Sequence, residues 1–108
     1  MENMTELYKG VLEGVVLQII KNKKEAYGYE ITNQLIEAEF QGIVEGTVYT
    51  LLVRLEKKGL LINEKRKSTL GPMRKFYRLT PEGTIYLEQF WGKWAFLQTQ
   101  VNQIKEEE

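Results

Sequence analysis

The chain has 108 residues, which is enough for one compact domain and leaves little room for a second. Cysteine, histidine and aspartate are absent, so the usual groups for disulfides, thiolate or imidazole catalysis and metal ligation are missing, and we expect a non-enzyme without a cofactor or a metal site. No apolar run is long enough to span a bilayer and the first residues lack the pattern of a signal peptide, which predicts a cytoplasmic protein without membrane contact.

The formal net charge is zero, but the charges are unevenly distributed. Between Arg54 and Arg78 there are nine cations and two glutamates, which gives this stretch a charge of +7 and the rest of the chain a charge of −7. A polyanion would be attracted to this stretch and oriented by it, although a basic run alone is equally typical of a solvated loop. The elements that carry the basic run must decide between these interpretations.

The first predicted element is a helix over residues 5–22, because apolar residues recur at helical spacing from Leu7 to Ile20. Gly10 and Gly14 lie one turn apart within it. Glycine weakens a helix, so we expect this pair to allow the close approach of another helix.

Two short helices are predicted next. The first follows residues 27–29 and ends near residues 41–42, because apolar residues are helically spaced up to Phe40. The second begins near Gly46 and ends at Gly59. Its predicted buried stripe consists of Val48, Leu51, Leu52 and Leu55. Its opposite face carries Thr47, Tyr49, Thr50, Val53, Arg54 and Lys57. This pattern favours a helix-turn-helix whose second helix enters the major groove of DNA.

A β-hairpin is predicted after the third helix. Residues 60–62 lead into one strand, residues 75–79 form the other, and residues 68–72 are of turn-forming types. The cations on the two arms and near the tip are Lys65, Arg66, Lys67, Arg74 and Lys75. A basic hairpin beside a recognition helix is a wing, which places its cations along the phosphate backbone or in the adjacent minor groove.

The last predicted element is a helix that begins at Thr80, Pro81 and Glu82, a hydroxyl cap followed by proline and an acid. Its apolar residues are separated by 3, 4, 3, 4 and 3 positions, which is the spacing of a coiled-coil seam. These residues are Leu87, Phe90, Trp94, Leu97, Val101 and Ile104. The sequence therefore predicts a mainly α fold with a small β-hairpin (α+β), in which a winged-helix domain of residues 1–79 dimerises through residues 80–108.

Three segments together resemble the PadR family of bacterial transcriptional regulators. The first is residues 27–31 (YGYEI) and the third is residues 71–80 (GPMRKFYRLT). The second combines residues 46–49 (GTVY) with Leu52, residues 54–56 (RLE) and residues 59–60 (GL). Their order and spacing extend the resemblance over nearly the whole chain. It implies a dimeric winged-helix protein that binds a double-stranded DNA operator, generally represses transcription and is relieved by a small molecule.

The resemblance also implies residue roles. Thr47, Tyr49 and Arg54 would face DNA, Tyr29 would reach phosphate, and the wing cations would contact the backbone without reading bases. The full set of predicted DNA contacts is Tyr29, Thr47, Tyr49, Thr50, Arg54, Lys57, Lys65, Arg66, Lys67, Arg74 and Lys75. For Tyr49 the alternative is a partly buried core aromatic. The chain departs from the family pattern at Val48 and Thr50, where leucine and proline are frequent, and we expect these changes to affect operator preference rather than the fold.

An effector site is implied as well, because multidrug-binding members of the family have a tryptophan on the last helix, where Trp94 lies. Two such indoles in a dimer can hold a flat aromatic or hydrophobic compound between them. The further candidates for this site are Trp91, Phe90, Leu12 and Val15. An ordinary packing role at the seam is the alternative for Trp94.

A second function remains open from the sequence. A winged-helix adaptor could use its basic wing to bind an acidic protein surface and never read DNA. The outer face of the third helix favours DNA, since an adaptor has no need for Tyr49 and Arg54 beside short hydroxyl side chains.

Overall fold

The structure is a computed structural model that describes residues 3–67 and 71–107. Within these residues the elements are α1 (Thr5–Tyr8), α2 (Leu12–Lys23), α3 (Gly28–Glu37), α4 (Glu45–Lys57), β1 (Leu61–Lys67), β2 (Met73–Leu79) and α5 (Pro81–Lys105). The fold is mainly helical with one antiparallel hairpin, which confirms the predicted class. Among the described residues, the helices are too short or too polar to cross a membrane.

The N-terminal segment forms two helices rather than one. Gly10 adopts a left-handed backbone with φ of +82° between α1 and α2, so the prediction of a single helix over residues 5–22 is wrong here. The Gln41 amide donates a hydrogen bond to the Tyr8 hydroxyl at 2.9 Å, and the Tyr8 ring lies 5.2 Å from that of Phe40. The break therefore places the end of α1 against the loop that precedes α4.

The two glycines of this segment have different roles. Gly14 is buried beneath the Phe90 ring of α5, and a methyl group added at Gly14 would overlap that ring. At Gly10 no atom lies within 4 Å of the position that a Cβ would occupy. The expected close approach of another helix is confirmed at Gly14 and wrong at Gly10, where glycine serves the turn instead.

Helices α3 and α4 form the predicted helix-turn-helix. All four residues of the α4 stripe are buried, and Gly59 follows the helix with φ of +78°, as expected. However, α3 ends at Glu37, earlier than predicted, because Glu39 adopts a left-handed φ of +66° and the Phe40 amide bonds to the Leu35 carbonyl at 3.0 Å. Phe40 therefore contacts the core from the loop and not from the helix.

The wing is an antiparallel pair whose register runs from Leu61 opposite Leu79 to Lys67 opposite Met73. It is attached to the body by Ala26, which exchanges two backbone hydrogen bonds with Tyr77 at 3.1 and 2.8 Å. Both Ala26 and Tyr77 are buried. The predicted hairpin is confirmed, and residues 68–70 of its predicted turn lie outside the described residues.

Helix α5 begins as predicted, with the Thr80 hydroxyl accepting a hydrogen bond from the Gly83 amide at 3.0 Å and donating one to the Gly59 carbonyl at 2.7 Å. Its first turns pack on the domain, and Leu87 is fully buried. From residue 95 onward every described residue is exposed, and the molecule is 60 Å long and 33 Å wide. The last three turns of α5 thus extend away from the core.

Gly83 offers a stability test of this junction. A methyl group at Gly83 would collide with the backbone carbonyl of Leu60, so we expect Gly83→Ala to destabilise the protein by about 1–3 kcal/mol. The matched control is Gly92→Ala on the same helix, where nothing lies within 4 Å and alanine should stabilise by up to about 1 kcal/mol. Denaturant unfolding measures both. Equal effects of the two substitutions would contradict the close contact at Gly83.

Candidate nucleic-acid interface

The outer surface of α4 divides into three parts. Each residue of a helix turns by about 100°, so Thr50 and Lys57 project opposite the buried stripe. Tyr49 lies on the flank toward the wing, with 59% of its surface exposed, which excludes the alternative of a core aromatic. Thr47 and Arg54 lie on the other flank, toward α2. The predicted contacts on α4 are therefore at the surface and extend over its outer side and both flanks.

The wing flank forms a groove of about 670 Å³ between the start of α3, α4 and β2, which we call the wing groove. Four of the predicted DNA contacts line it, namely Tyr29, Tyr49, Arg74 and Lys75. They come from three separate elements, and the fold brings them together. Its walls thus combine aromatic rings, which can contact sugars and bases, with cations that can contact phosphate.

Tyr27, which sequence reasoning did not select, organises this groove. Its ring stacks with that of Tyr29 at 6.5 Å and an interplanar angle of 10°, and meets the edge of Phe76 at 5.2 Å. The Arg74 guanidinium lies 4.5 Å from the centre of the Tyr27 ring. Tyr27 therefore holds one wall residue of α3 and one of β2 in place. The sequence signals were an aromatic residue directly before the Gly28 that begins α3 and its place at the start of the YGYEI segment.

Arg66 differs from the other wing cations in the contacts that it makes. It forms two hydrogen bonds with the Glu25 carboxylate at 2.6 and 2.8 Å, binds Glu64 at 2.5 Å and lies 4.6 Å from the Phe76 ring centre. The hydrogen bonds from Arg66 lower the pKa of Glu25 below its ordinary value. These contacts attach the wing to the connection between α2 and α3, so a phosphate contact by Arg66 stays a prediction that requires the Glu25 pair to open.

Lys65 and Lys67 lie on the opposite face of β1 from Arg66, because successive strand residues alternate. Both are exposed, and Lys65 pairs in register with Lys75 of β2. Like charges placed opposite one another repel, and a phosphate between them would relieve that repulsion. Lys65, Lys67 and Lys75 therefore share one face of the wing, the same face that brings Lys75 into the wing groove, and their contact with phosphate stays a prediction.

The other flank of α4 borders a second cavity of about 540 Å³, which we call the α2–α4 cleft. Its lining includes Tyr8, Leu12, Glu13, Thr47, Thr50, Arg54 and Tyr86. At its edge the Glu13 carboxylate accepts a hydrogen bond from the Tyr86 hydroxyl at 2.5 Å, lies 3.2 Å from the Lys58 ammonium and 3.4 Å from the Arg54 guanidinium. The Glu13 carboxylate therefore links α2 to the C-terminal end of α4, through Arg54 and Lys58, and to α5, through Tyr86.

Burial raises the pKa of Glu13, but the hydrogen bonds from Tyr86 and Lys58 and the charges of Lys58 and Arg54 outweigh it, so the net pKa lies below the ordinary value. The same hydrogen bond raises the pKa of Tyr86. Glu13 is thus ionised at neutral pH. Sequence reasoning missed this cluster, although Glu13 is the one charged residue between Val11 and Ile20.

The predicted effector residues lie where α5 crosses α2. The Phe90 ring covers Gly14 and meets Trp91 edge to face at 5.0 Å, and the Trp91 indole donates a hydrogen bond to the Gln18 side chain at 2.8 Å. Leu12, Val15 and Trp91 pack against the core. Trp94 is half-buried and lies directly before the exposed part of α5. Packing within one protomer therefore accounts for most of this set, and ligand contact stays a prediction.

A helix-turn-helix with a polar second helix, followed by a basic hairpin attached beside it, defines a winged helix-turn-helix protein. The model of the Transcriptional regulator PadR-like family matches residues 16–89, which include α3, α4, the described wing and the start of α5. The chain belongs to this family and is a transcriptional regulator rather than an enzyme.

Solved structures of similar proteins cover almost the entire chain. A PadR-like transcriptional regulator from Bacillus cereus is 39% identical, with a TM-score of 0.82 over 96% of this chain and 100% of its own. A Streptococcus transcriptional regulator is 46% identical, with a TM-score of 0.82 over 94% of this chain and 99% of its own. A PadR family regulator from Eggerthella lenta is 33% identical, with a TM-score of 0.86 over 95% and 88% of the two chains.

Proposed function

We propose that this regulator is a repressor that binds a DNA operator as a homodimer and is modulated by a small aromatic or hydrophobic ligand at the dimer interface. The observation that carries the DNA-binding part is the wing groove. Tyr29, Tyr49, Arg74 and Lys75 come from α3, α4 and β2 and line one surface beside the exposed face of α4. Insertion of α4 into a major groove would bring the wing against the adjacent backbone.

The homodimer is supported by α5. Leu97, Val101 and Ile104 follow the seam spacing and are 50%, 46% and 71% exposed in the protomer. Side chains of this kind at that spacing need a partner helix, and the same helix of a second copy supplies it. A two-fold dimer would present two α4 helices to one face of a duplex.

The proposed function is tested by titrating the protein with the DNA upstream of its own gene and with a scrambled duplex of equal length and composition. We expect tighter binding to the upstream DNA, a steep decrease of affinity with salt and reduced transcription from that DNA in vitro. Equal affinity for both duplexes, or binding to neither, would argue for the protein-interaction alternative.

Lys75→Ala separates backbone contacts from base contacts. Lys75 lies on the wing, and the proposed geometry places its ammonium against phosphate, so its loss should weaken binding to upstream and scrambled DNA alike and reduce the salt slope by about 1. Fluorescence anisotropy at several salt concentrations measures this. A loss restricted to the upstream duplex would instead assign Lys75 a role in base recognition.

The ligand part is tested by tryptophan fluorescence. Flat aromatic cations should quench the protein's emission, and Trp94→Phe should reduce this quenching because the proposed site stacks the ligand on Trp94. Trp91→Phe is the matched control, since the Trp91 indole is held by Gln18 and packs on the core. Quenching that persists in Trp94→Phe and disappears in Trp91→Phe would place the ligand elsewhere.

A further inference from the structure

The Glu13 cluster has a consequence for DNA selection that rests on the proposed function. We propose that Glu13 is a specificity-determining positioning residue, whose carboxylate competes with DNA phosphate for Arg54 and Lys58 and so withholds these cations from unrelated duplexes. Glu13 itself touches no DNA in this arrangement. It acts through Arg54, which the helix-turn-helix places beside the DNA-facing surface of α4.

The geometry of α4 shows which way Arg54 is turned. Lys57 projects opposite the buried stripe, and Arg54, three residues earlier, is rotated by about 60° from it toward α2. From that flank the Arg54 guanidinium reaches back to Glu13 at 3.4 Å and away from the outer face. Since 54% of the Arg54 side chain is exposed, it can also rotate outward. The side chain therefore has a choice between Glu13 and an approaching phosphate.

The Glu13 carboxylate is held in place by its neighbours. The Glu13 side chain is only 12% exposed, and the Tyr86 hydroxyl of α5 donates a hydrogen bond to it at 2.5 Å. Lys58 lies 3.2 Å from both carboxylate oxygens and 5.6 Å from the centre of the Tyr86 ring. A partly buried, hydrogen-bonded carboxylate is screened less by salt than an exposed one. The Glu13 carboxylate should therefore still attract both cations at the salt concentrations at which DNA binding takes place.

This competition affects unrelated and cognate DNA differently. A random duplex offers Arg54 and Lys58 only phosphates, and the loss of the Glu13 pairs offsets much of that gain. A cognate operator adds hydrogen bonds to base edges, and these offset the free energy lost when the Arg54–Glu13 pair opens. Glu13 should thus lower nonspecific affinity more than specific affinity.

The test is Glu13→Gln, which removes the charge while its amide oxygen can still accept the Tyr86 hydrogen bond. We expect the variant to bind a random duplex about threefold to tenfold more tightly at low salt. The plot of log affinity against log salt should steepen by about 0.9 for each phosphate gained. The ratio of upstream to random affinity should fall.

Two controls separate charge competition from a structural effect. Glu37→Gln, at the end of α3, changes the net charge equally and should leave the salt slope nearly unchanged. Tyr86→Phe removes the hydrogen bond but keeps the Glu13 charge, so its slope should also stay near that of the wild type. In the Arg54→Ala, Lys58→Ala background, Glu13→Gln should give no gain. A gain that persists there, or an unchanged slope in Glu13→Gln alone, would overturn the inference.

A further comparison covers the case in which Glu13→Gln does not fold. In the otherwise wild-type protein, Lys57→Ala should reduce the salt slope on random duplex more than Arg54→Ala does. Of these two cations Arg54 is the one paired with Glu13, so it should contribute less to binding of random DNA. Equal reductions would overturn the inference and leave the proposed function intact. If the wild type binds no duplex at all, the proposed function fails first and the inference fails with it.

Discussion

Replacing Leu97 and Val101 with glutamate should convert the protein into a monomer and lower its affinity for the upstream DNA by about 10²-fold to 10⁴-fold. Both side chains are on the seam of α5 and about half exposed in the protomer, so the two charges would be buried against their symmetry mates without partners. Two monomers then bind the two halves of the operator independently. In the dimer, binding of the first half raises the effective concentration of the second subunit at its half, and this gain is lost. Sedimentation and DNA titration measure the two effects.

The control for this variant is Thr99→Glu with Asn102→Glu. These positions lie on α5 outside the seam and add the same two charges. The control should remain dimeric and lose only the small affinity that two added negative charges remove. A dimeric seam variant, or a monomeric variant with undiminished affinity, would contradict the proposed role of α5.

Tyr49→Ala should have the second largest effect. We expect it to lower affinity for the upstream DNA by about 1–3 kcal/mol and to leave affinity for scrambled DNA nearly unchanged, because the exposed ring stands beside the wing groove where base edges would lie. Its thermal stability should stay close to that of the wild type, since the side chain is mostly outside the core. Arg54→Ala should reduce operator affinity by a similar amount.

Tyr49→Phe distinguishes DNA contacts made by the Tyr49 ring from those made by its hydroxyl group. If the ring packs against sugars or base methyl groups, Tyr49→Phe should keep most of the affinity that Tyr49→Ala loses. A loss as large as in the alanine variant would assign the energy to the hydroxyl. An alanine variant that binds upstream DNA as the wild type does would remove Tyr49 from the interface.

The elements with a local pattern could be predicted from the sequence. The stripe of α4 repeats at positions i, i+3, i+4 and i+7, and every member is buried. Thr80 caps α5 as its position before Pro81 indicates. The break at Gly10 could not be predicted in this way, because a glycine that allows a close contact and one that allows a left-handed turn look alike in a sequence. Phe40 was misassigned for a similar reason, since helical spacing continues past the actual end of α3.

The part of the site that depends on distant partners was not predictable. Glu13 and Tyr86 are 73 positions apart, and Arg66 and Glu25 are 41 apart. Nothing local distinguishes Arg66, which is paired with glutamate, from Lys65, which is exposed. The family resemblance supplied the candidate DNA contacts as one set. The fold places some of them in the wing groove, some in the α2–α4 cleft and two on the exposed part of β1, and it leaves Lys57 on the outer side of α4 and Arg66 paired with Glu25.

The central claim is that α4 and the wing form the DNA-binding surface, and amide chemical-shift mapping of the wild-type protein on addition of upstream DNA tests it most directly. We expect the largest changes at Tyr29, Tyr49, Thr50 and Lys75, and small ones over residues 95–105 of α5. Changes concentrated on α5, or restricted to the wing while α4 stays unchanged, would contradict it.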